Sequence, residues 1–90
     1  MALITVEKVN DTTFKVTATG RQTTTHTVTV ALEYKAKLAG PNTPAETLVE
    51  RSFEFLLERE SNTRILRQFD LPVIQAYFPE YEKTIRKLLA

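Results

Sequence analysis

The chain has 90 residues, carries 12 lysine and arginine side chains against 11 aspartate and glutamate side chains, and contains no cysteine. A chain of this length forms one domain, spanning residues 1–90, whose core leaves no room for a deep substrate cavity. The near-neutral charge argues against a broad nucleic-acid-binding field, and the lack of cysteine excludes disulfides and thiol chemistry.

Three runs near the amino terminus alternate apolar and polar residues, which is the pattern of half-buried β-strands. These runs are residues 3–9, 13–19 and 23–30. The third run is rich in threonine, a residue that favours strands. Residues typical of turns separate the runs, so we expect the three strands to form an antiparallel meander.

Loop lengths follow from the requirement that directly opposed residues of an antiparallel pair share a face. A three-residue loop at 20–22 sets Phe14 opposite Val28 and so keeps the apolar side chains together. The same test favours a three-residue loop at 10–12. The predicted sheet therefore has one apolar face and one threonine-rich face.

Residues 43–60 predict the helix around which the rest of the chain is organised. Thr43, Pro44 and Glu46 match a capping box, with threonine at the N-cap and proline at the first helical position. The apolar residues that follow cover roughly 200° of the helical wheel, wider than the ~100° stripe of an ordinary surface helix. We therefore expect the sheet to cover one flank of this helix and other helices to cover the opposite flank.

Shorter helical segments surround the central one. Residues 32–39 predict a helix that ends at Gly40, because glycine is favoured at helix C-termini. Residues 63–69 predict another short helix, Asp70 is expected to cap the next, and a last helix is expected at 80–89. Strands followed by helices indicate an α+β fold, a three-stranded antiparallel meander followed by four to five helices packed on one sheet face.

Residues suited to catalysis or cofactor binding are sparse. Only two glycines occur, and they are too far apart to build a phosphate-binding loop. His26 is the only histidine, which together with the lack of cysteine excludes zinc sites of the usual nitrogen and sulfur type. No nucleophile pattern accompanies His26, so we interpret it as a partly covered residue at the sheet edge. We expect no catalytic residue, no metal site, no cofactor and no enzymatic activity.

An acidic stripe is the first candidate interaction surface. Glu50, Glu54 and Glu58 follow at four-residue spacing and so share one face of the central helix. Charge runs on helices usually face water, and Arg51 partly neutralises this one. The alternative is a docking strip for a basic partner, either another molecule or the basic carboxy-terminal residues of this chain.

The threonine-rich sheet face, which includes Thr25 and Thr27, is the second candidate. Antiparallel sheets commonly leave one face in water, so the simpler interpretation is a solvated face. The alternative is an interface, because neither outer strand of the meander contains proline and both are long enough to pair with a second copy. Lys8, Lys15 and Arg21 are the residues expected to protect these edges.

Basic residues interleaved with aromatic ones form the third candidate. The basic residues are Arg59, Arg64, Arg67, Lys83, Arg86 and Lys87, and the aromatic ones are Tyr77, Phe78 and Tyr81. Such a pattern can bind single-stranded nucleic acid through stacking and phosphate contacts. The aromatic residues also fall at helical spacing with neighbouring isoleucines, which favours a role in the core.

Several segments of the chain resemble a family of short, uncharacterised bacterial proteins. These segments are residues 50–60, 65–66, 69–74 and 77–81, and the similarity covers roughly residues 23–82. The resemblance implies a natural single-domain bacterial protein and transfers no activity and no binding residue.

The sequence therefore predicts a small non-catalytic protein-interaction module, with a homodimer joined at a sheet edge as its leading form. The alternative is a weak single-stranded nucleic-acid-binding protein. No apolar run approaches the ~18 residues of a membrane-spanning helix, and the first residues lack the basic start of a signal peptide. We expect a cytoplasmic protein that makes no membrane contact.

Overall fold

The alternating runs form the expected strands in the computed structural model, which describes residues 3–89. These strands are β1 (Leu3–Asn10), β2 (Thr13–Thr19) and β3 (Thr23–Thr29). β2 lies between β1 and β3 and is antiparallel to both. The even-numbered residues of β2 are fully buried and its odd-numbered residues are partly or wholly exposed, as the period of two in the sequence requires.

The register between β2 and β3 confirms the predicted three-residue loop at 20–22. Phe14 lies opposite Val28, and Val16 lies opposite His26. All four side chains are fully buried on the same face of the sheet. The parity of the apolar pattern, together with the position of the turn residues, therefore predicts this register correctly.

The turn between β1 and β2 differs from the prediction of a three-residue loop at 10–12. β1 continues to Asn10, which leaves only Asp11 and Thr12 in the turn. A β-bulge between Lys8 and Asn10 supplies the extra residue, so the rest of β1 keeps the register that the longer loop would have set. The backbone N–H of Thr12 donates to Asn10 Oδ1 at 3.0 Å and closes the turn.

A fourth strand makes the sheet mixed and corrects the predicted three-stranded meander. β4 (Gln68–Asp70) lies parallel to β3 and completes the order β1-β2-β3-β4. The backbone N–H of Thr27 donates to the Arg67 carbonyl at 2.7 Å. At the other end of β4, the N–H of Leu71 donates to the Thr29 carbonyl at 2.9 Å. β3 is therefore an inner strand here, and β1 is the long free edge of the described sheet.

Two helices connect β3 to β4. α1 (Leu32–Ala39) ends at Gly40 as predicted. Gly40 has a φ of 76°, which favours glycine, and its N–H donates to the Ala36 carbonyl at 3.1 Å. α2 (Ala45–Leu57) is the central helix, and it is shorter at both ends than the predicted 43–60.

The predicted capping box at the start of α2 does not form. Pro44 has an extended backbone, with φ −61° and ψ 145°, and therefore occupies the N-cap instead of the first helical position. The helix begins one residue later than predicted, which puts Thr43 and Glu46 out of register for a box. No side-chain hydrogen bond caps this end, and the Pro44 carbonyl accepts from the N–H of Leu48 at 3.3 Å.

The segment after α2 is mostly extended, which corrects the prediction of a helix at 63–69. Asn62–Arg64 forms a single 3₁₀ turn, and the chain then runs into β4. Asp70 was expected to cap a helix, but it lies in β4, where its carboxylate accepts a hydrogen bond from the Thr29 hydroxyl. Backbone pairing with β3 outweighs the helical spacing of the apolar residues in this segment.

The last two helices meet at a tight corner. They are α3 (Val73–Tyr77) and α4 (Tyr81–Leu89). Gln75 bridges the corner, because its amide nitrogen donates to the Pro79 carbonyl at 2.6 Å and its oxygen accepts from the N–H of Glu82 at 2.9 Å. The described residues thus contain four α-helices and one 3₁₀ turn, and the α+β class is confirmed.

The central helix is covered on both flanks, as its wide apolar arc predicts. On the sheet side, the Phe53 ring lies 5.3 Å from the His26 ring and 6.1 Å from the Phe69 ring. On the opposite side, the Phe55 ring contacts Tyr81 of α4 edge to face at 5.3 Å. Both phenylalanines are essentially inaccessible to solvent. Aromatic contacts of this kind contribute about 0.5–1.5 kcal/mol beyond the area that they bury.

A buried hydroxyl pair links α2 to α4. Ser52 Oγ lies 2.7 Å from the Leu48 carbonyl oxygen and 2.6 Å from the Tyr81 hydroxyl. Since a carbonyl only accepts, the Ser52 hydroxyl donates its hydrogen bond to the Leu48 carbonyl. The Tyr81 hydroxyl then donates to Ser52 Oγ. Burial raises the pKa of Tyr81 above its usual value. Tyr81 therefore remains protonated at neutral pH.

This arrangement predicts unequal effects of two conservative substitutions. Tyr81→Phe leaves Ser52 donating to Leu48 and should lower the free energy of unfolding by about 1 kcal/mol. Ser52→Ala leaves the tyrosine hydroxyl buried without a partner and should cost more, about 1–3 kcal/mol. Urea unfolding monitored by circular dichroism measures both. Equal losses, or a larger loss for Tyr81→Phe, would contradict the assigned donor directions.

Candidate interaction surfaces

The free edge of β1 leaves apolar side chains only partly covered. Ile4 and Val6 face the helices and pack against the core, but each is partly exposed. Their cross-strand partners in β2, Ala18 and Val16, are completely buried. Leu3 at the start of the strand is 65% exposed. The core-facing side chains are thus buried in β2 and β3 and only partly covered in β1.

The far end of β1 is protected against pairing. Val9 lies at the bulge and is 60% exposed. Lys8 forms an ion pair with Asp11 at 3.5 Å at the same end. Bulges and charged residues are devices that block edge-to-edge association. Of the other residues expected to protect edges, Lys15 lies inside the sheet in β2 and Arg21 lies in the loop after it, so only Lys8 acts on the free edge.

The threonine-rich face carries ordered rows of hydroxyl groups. Thr5, Thr17 and Thr25 lie directly side by side across β1, β2 and β3. In the neighbouring row, Thr27 lies beside Lys15, whose side chain is exposed. Thr25 is exposed and Thr27 is partly covered. A charged side chain in the middle of the face favours contact with water over a dry interface.

The acidic stripe on α2 is largely occupied by its own neighbours. Arg51 Nη1 lies 2.9 Å from both carboxylate oxygens of Glu54. Glu58 lies 3.5 Å from Arg59, while Glu50 has no cation within 4.0 Å among residues 3–89. The basic residues of α4 form no ion pair with the stripe in that part of the chain. The structure thus does not bring these two predicted groups together.

The basic residues divide into held and free side chains. The guanidinium of Arg59 lies 3.5 Å from the centre of the Phe55 ring and donates to the Phe55 carbonyl at 3.0 Å. It also lies 3.4 Å from Glu80. Arg64 and Arg67 are exposed and have no carboxylate within 4.0 Å in the described range. The exposed basic residues of α4 are Lys83, Arg86 and Lys87.

A shallow apolar groove of about 200 Å³ lies between the end of α2, the segment 64–66 and α3. Its buried lining consists of Leu56, Ile65, Phe69 and Ile74. Two lining residues are open to solvent, Leu66 at 47% and Tyr77 at 67% exposure. Glu60 and Arg64 are the charged lining residues. The sequence did not indicate this groove, because its walls become neighbours only after β4 joins the sheet.

A buried polar network supports one wall of the groove from behind. The Asn62 amide nitrogen lies 2.8–3.0 Å from the carbonyl oxygens of Ala18 and Gln22 and from Thr24 Oγ1, so its two hydrogens are shared among three acceptors. Thr24 Oγ1 lies 2.8 Å from His26 Nε2. These contacts connect the 3₁₀ turn to the end of the β2–β3 hairpin.

His26 completes the network, and its position corrects the expected partly covered residue at the sheet edge. It is fully buried in an inner strand, and Nδ1 lies 2.7 Å from the Leu66 carbonyl oxygen. Because that oxygen only accepts, Nδ1 carries the proton and Nε2 accepts from the Thr24 hydroxyl. Both ring nitrogens are thus satisfied when the ring is neutral.

Burial lowers the pKa of His26 below its usual value of 6.5. The nearby Arg67 charge lowers the pKa further, while the hydrogen bond to Leu66 opposes both effects. A second ring proton would also compete with the Thr24 proton for the same hydrogen bond. His26 therefore holds segment 64–66 against β3 in its uncharged form.

This pKa shift predicts that the protein loses stability in mild acid. The unfolded chain takes up a proton at His26 near pH 6.5, whereas the folded chain does so only at lower pH. The stability that neutral His26 contributes is fully present above pH 6.5. It is lost as the pH falls from 6.5 through the lower pKa of the folded state. Melting temperatures measured from neutral to mildly acidic pH should fall for the natural protein and much less steeply for His26→Gln. Parallel curves would contradict the prediction.

Residues 3–89 contain no group of three or more histidine, aspartate or glutamate side chains that could hold a metal ion. None of the helices in the same range has the length and hydrophobicity needed to cross a bilayer. Comparisons of the chain with protein-family models, curated proteins and solved structures find no match. The predicted similarity to short bacterial proteins stays a prediction.

Proposed function

We propose that this protein is a small, non-catalytic protein-interaction module that pairs with a second copy of itself through the free edge of β1. The observation that carries the proposal is the incomplete burial of Ile4 and Val6, beside a strand edge that has no neighbour in the described sheet. A second β1 would cover these side chains and satisfy the outward backbone groups of both strands.

The apolar pattern selects one register for the pair. A two-fold axis perpendicular to the sheet keeps the helices of both copies on the same side, so opposed residues must share a face. With the axis at Thr5, Ile4 of one copy lies beside Val6 of the other, and the two Thr5 side chains oppose each other. Moving the axis to Val6 would place Ile4 beside the charged Lys8, which the register centred on Thr5 avoids.

The extent of the free edge limits the strength of the dimer. The bulge and the Lys8–Asp11 ion pair restrict pairing to about the first half of β1. An interface formed by one short strand from each copy is smaller than the ~1,200 Å² at which stable complexes begin. We therefore propose a weak, reversible dimer that forms at high protein concentration.

A charge exchange at Thr5 tests this register. Thr5→Lys and Thr5→Glu each oppose like charges across the two-fold axis, which should weaken the dimer about fivefold for ~1 kcal/mol of repulsion. An equimolar mixture of the two variants should regain dimers, because opposite charges then face each other. Sedimentation velocity of each variant and of the mixture measures the effect.

Thr25→Lys is the matched control, because Thr25 is an exposed threonine in the same row of the sheet but lies in β3, which β2 separates from the β1 edge. It should leave the dimer unchanged. Loss of dimers in Thr25→Lys but not in Thr5→Lys would move the interface to the threonine-rich face and contradict the edge proposal. A natural protein that sediments only as a monomer up to about 1 mM would also contradict it.

A further inference from the structure

We propose that His26 is the centre of an acid-sensitive switch, in which protonation of its ring releases residues 62–70, the β4 segment, from β3 while the rest of the chain stays folded. The loss of stability predicted for mild acid concerns the whole chain, whereas this switch confines the first effect of acid to one segment. It does not involve β1, which forms the opposite edge of the sheet.

The polar contacts of the His26 ring depend on the β4 segment. Nδ1 donates to the Leu66 carbonyl, and Nε2 accepts from the Thr24 hydroxyl at 2.8 Å. The Asn62 amide nitrogen lies 3.0 Å from the same hydroxyl oxygen. Leu66 and Asn62 both belong to the β4 segment. Lifting this segment therefore frees Nδ1 and opens the side of Thr24 that Asn62 covers.

A protonated ring does not fit this closed arrangement. With a proton on each nitrogen, Nε2 must donate to Thr24 Oγ1, and the threonine hydroxyl then needs another acceptor for its own proton. The hydrogen bonds of residues 3–89 offer none, because the other neighbour of that oxygen is the Asn62 amide nitrogen, which is a donor. Protonation thus leaves a buried charge beside an unpaired hydroxyl, and both are unfavourable in a protein interior.

No negative charge in the described chain compensates a protonated His26. β2 presents Val16 to the ring, α2 presents the Phe53 ring at 5.3 Å, and the 3₁₀ turn presents the uncharged Asn62. Burial lowers the pKa of His26, and the positive charge of Arg67 in the β4 segment lowers it further. Within residues 3–89, no carboxylate lies within 4.0 Å of either ring nitrogen. The surroundings therefore favour the uncharged ring.

The β4 segment is the weaker of the two neighbours of β3. β3 pairs with β2 over seven residue pairs but with β4 over only three. The side chains at positions 66–68 are exposed, so Ile65 and Phe69 are the apolar side chains that fix the segment to the core. Regions with few backbone pairs and few buried contacts open at the lowest free energy. A charge at His26 should therefore displace the β4 segment before it disrupts the hairpin.

Release of the β4 segment changes the edge of the sheet. The N–H of Thr27 loses the Arg67 carbonyl, and β3 loses its pairing with β4. β3 then becomes an unpaired edge on the side of the sheet opposite β1. Since unpaired strand edges can pair with further strands, acid gives the protein a second site for strand pairing.

An NMR titration of the full chain tests the switch. Two-dimensional ¹H–¹⁵N spectra are recorded from neutral to acidic pH, at a dilution that keeps the chain monomeric. The amide signals of residues 62–70 and of Thr27 should change together with the ring signals of His26, at one midpoint. The signals of the β1–β2 pairs should keep their folded positions over the same range.

Substitutions separate His26 from the other charged groups of the region. His26→Gln keeps a neutral side chain with one donor and one acceptor group, and it should abolish the transition. Asp70→Asn removes the carboxylate of β4 and should leave the midpoint unchanged. Arg67→Gln removes a repelling charge, so the closed form tolerates the proton better and a smaller fraction of the segment should open in acid. Arg64→Gln is the matched control, because Arg64 is also exposed in this segment, and it should change nothing.

Three results would overturn the proposal. Simultaneous loss of all dispersed amide signals would show global unfolding in place of a local switch. Titration of the His26 ring with residues 62–70 unmoved would show that the closed form accepts the charge. A transition that persists in His26→Gln, or that disappears in Asp70→Asn, would assign the response to another group. If His26→Gln does not fold, the titration of the natural protein and the comparison of Arg67→Gln with Arg64→Gln decide between these outcomes.

Discussion

The structure depends on the burial of α2 from two opposite directions. Phe53 and Phe55 are two residues apart and therefore point roughly 200° apart around the helix. One meets the sheet at His26 and Phe69, and the other meets α4 at Tyr81. A three-layer arrangement of sheet, central helix and outer helices follows directly, because both rings must be removed from water. The other helices and strands of the described chain belong either to the sheet on one side of α2 or to the helices on its other side.

Much of this architecture could be predicted from the spacing of apolar residues. The alternation around Phe14 and Val16 specifies the strands, and parity together with the turn residues at 20–22 specifies the β2–β3 register. The wide apolar arc of α2 indicates burial on both sides, and the end of α1 follows from Gly40. These signals are local, since each depends on residues within one strand, one helix or one hairpin.

The features that could not be predicted depend on contacts between distant residues. The segment around Phe69 has apolar residues at helical spacing, but backbone pairing with β3 makes it a strand. The sequence likewise marks Asn62 and His26 only as polar residues, although both are buried and join the hairpin to the region before β4. The groove could not be predicted for the same reason, since its lining residues come from separate helices, a strand and a loop. The sequence places Leu66 in a predicted helix and favours a core position for Tyr77, whereas both side chains are exposed at the groove.

The parallel pairing of β4 has a consequence for the order in which the chain folds. His26 and Leu66, which are in contact, are 40 positions apart, whereas the β2–β3 hairpin joins near neighbours. Closing the longer loop costs more chain entropy, and that cost falls if α1 and α2 have already condensed onto the meander. We therefore expect β4 to pair with β3 late in folding, after the meander, α1 and α2 have formed. It would also be the first part to detach in a local opening, so the groove wall would exchange its amide hydrogens sooner than the hairpin.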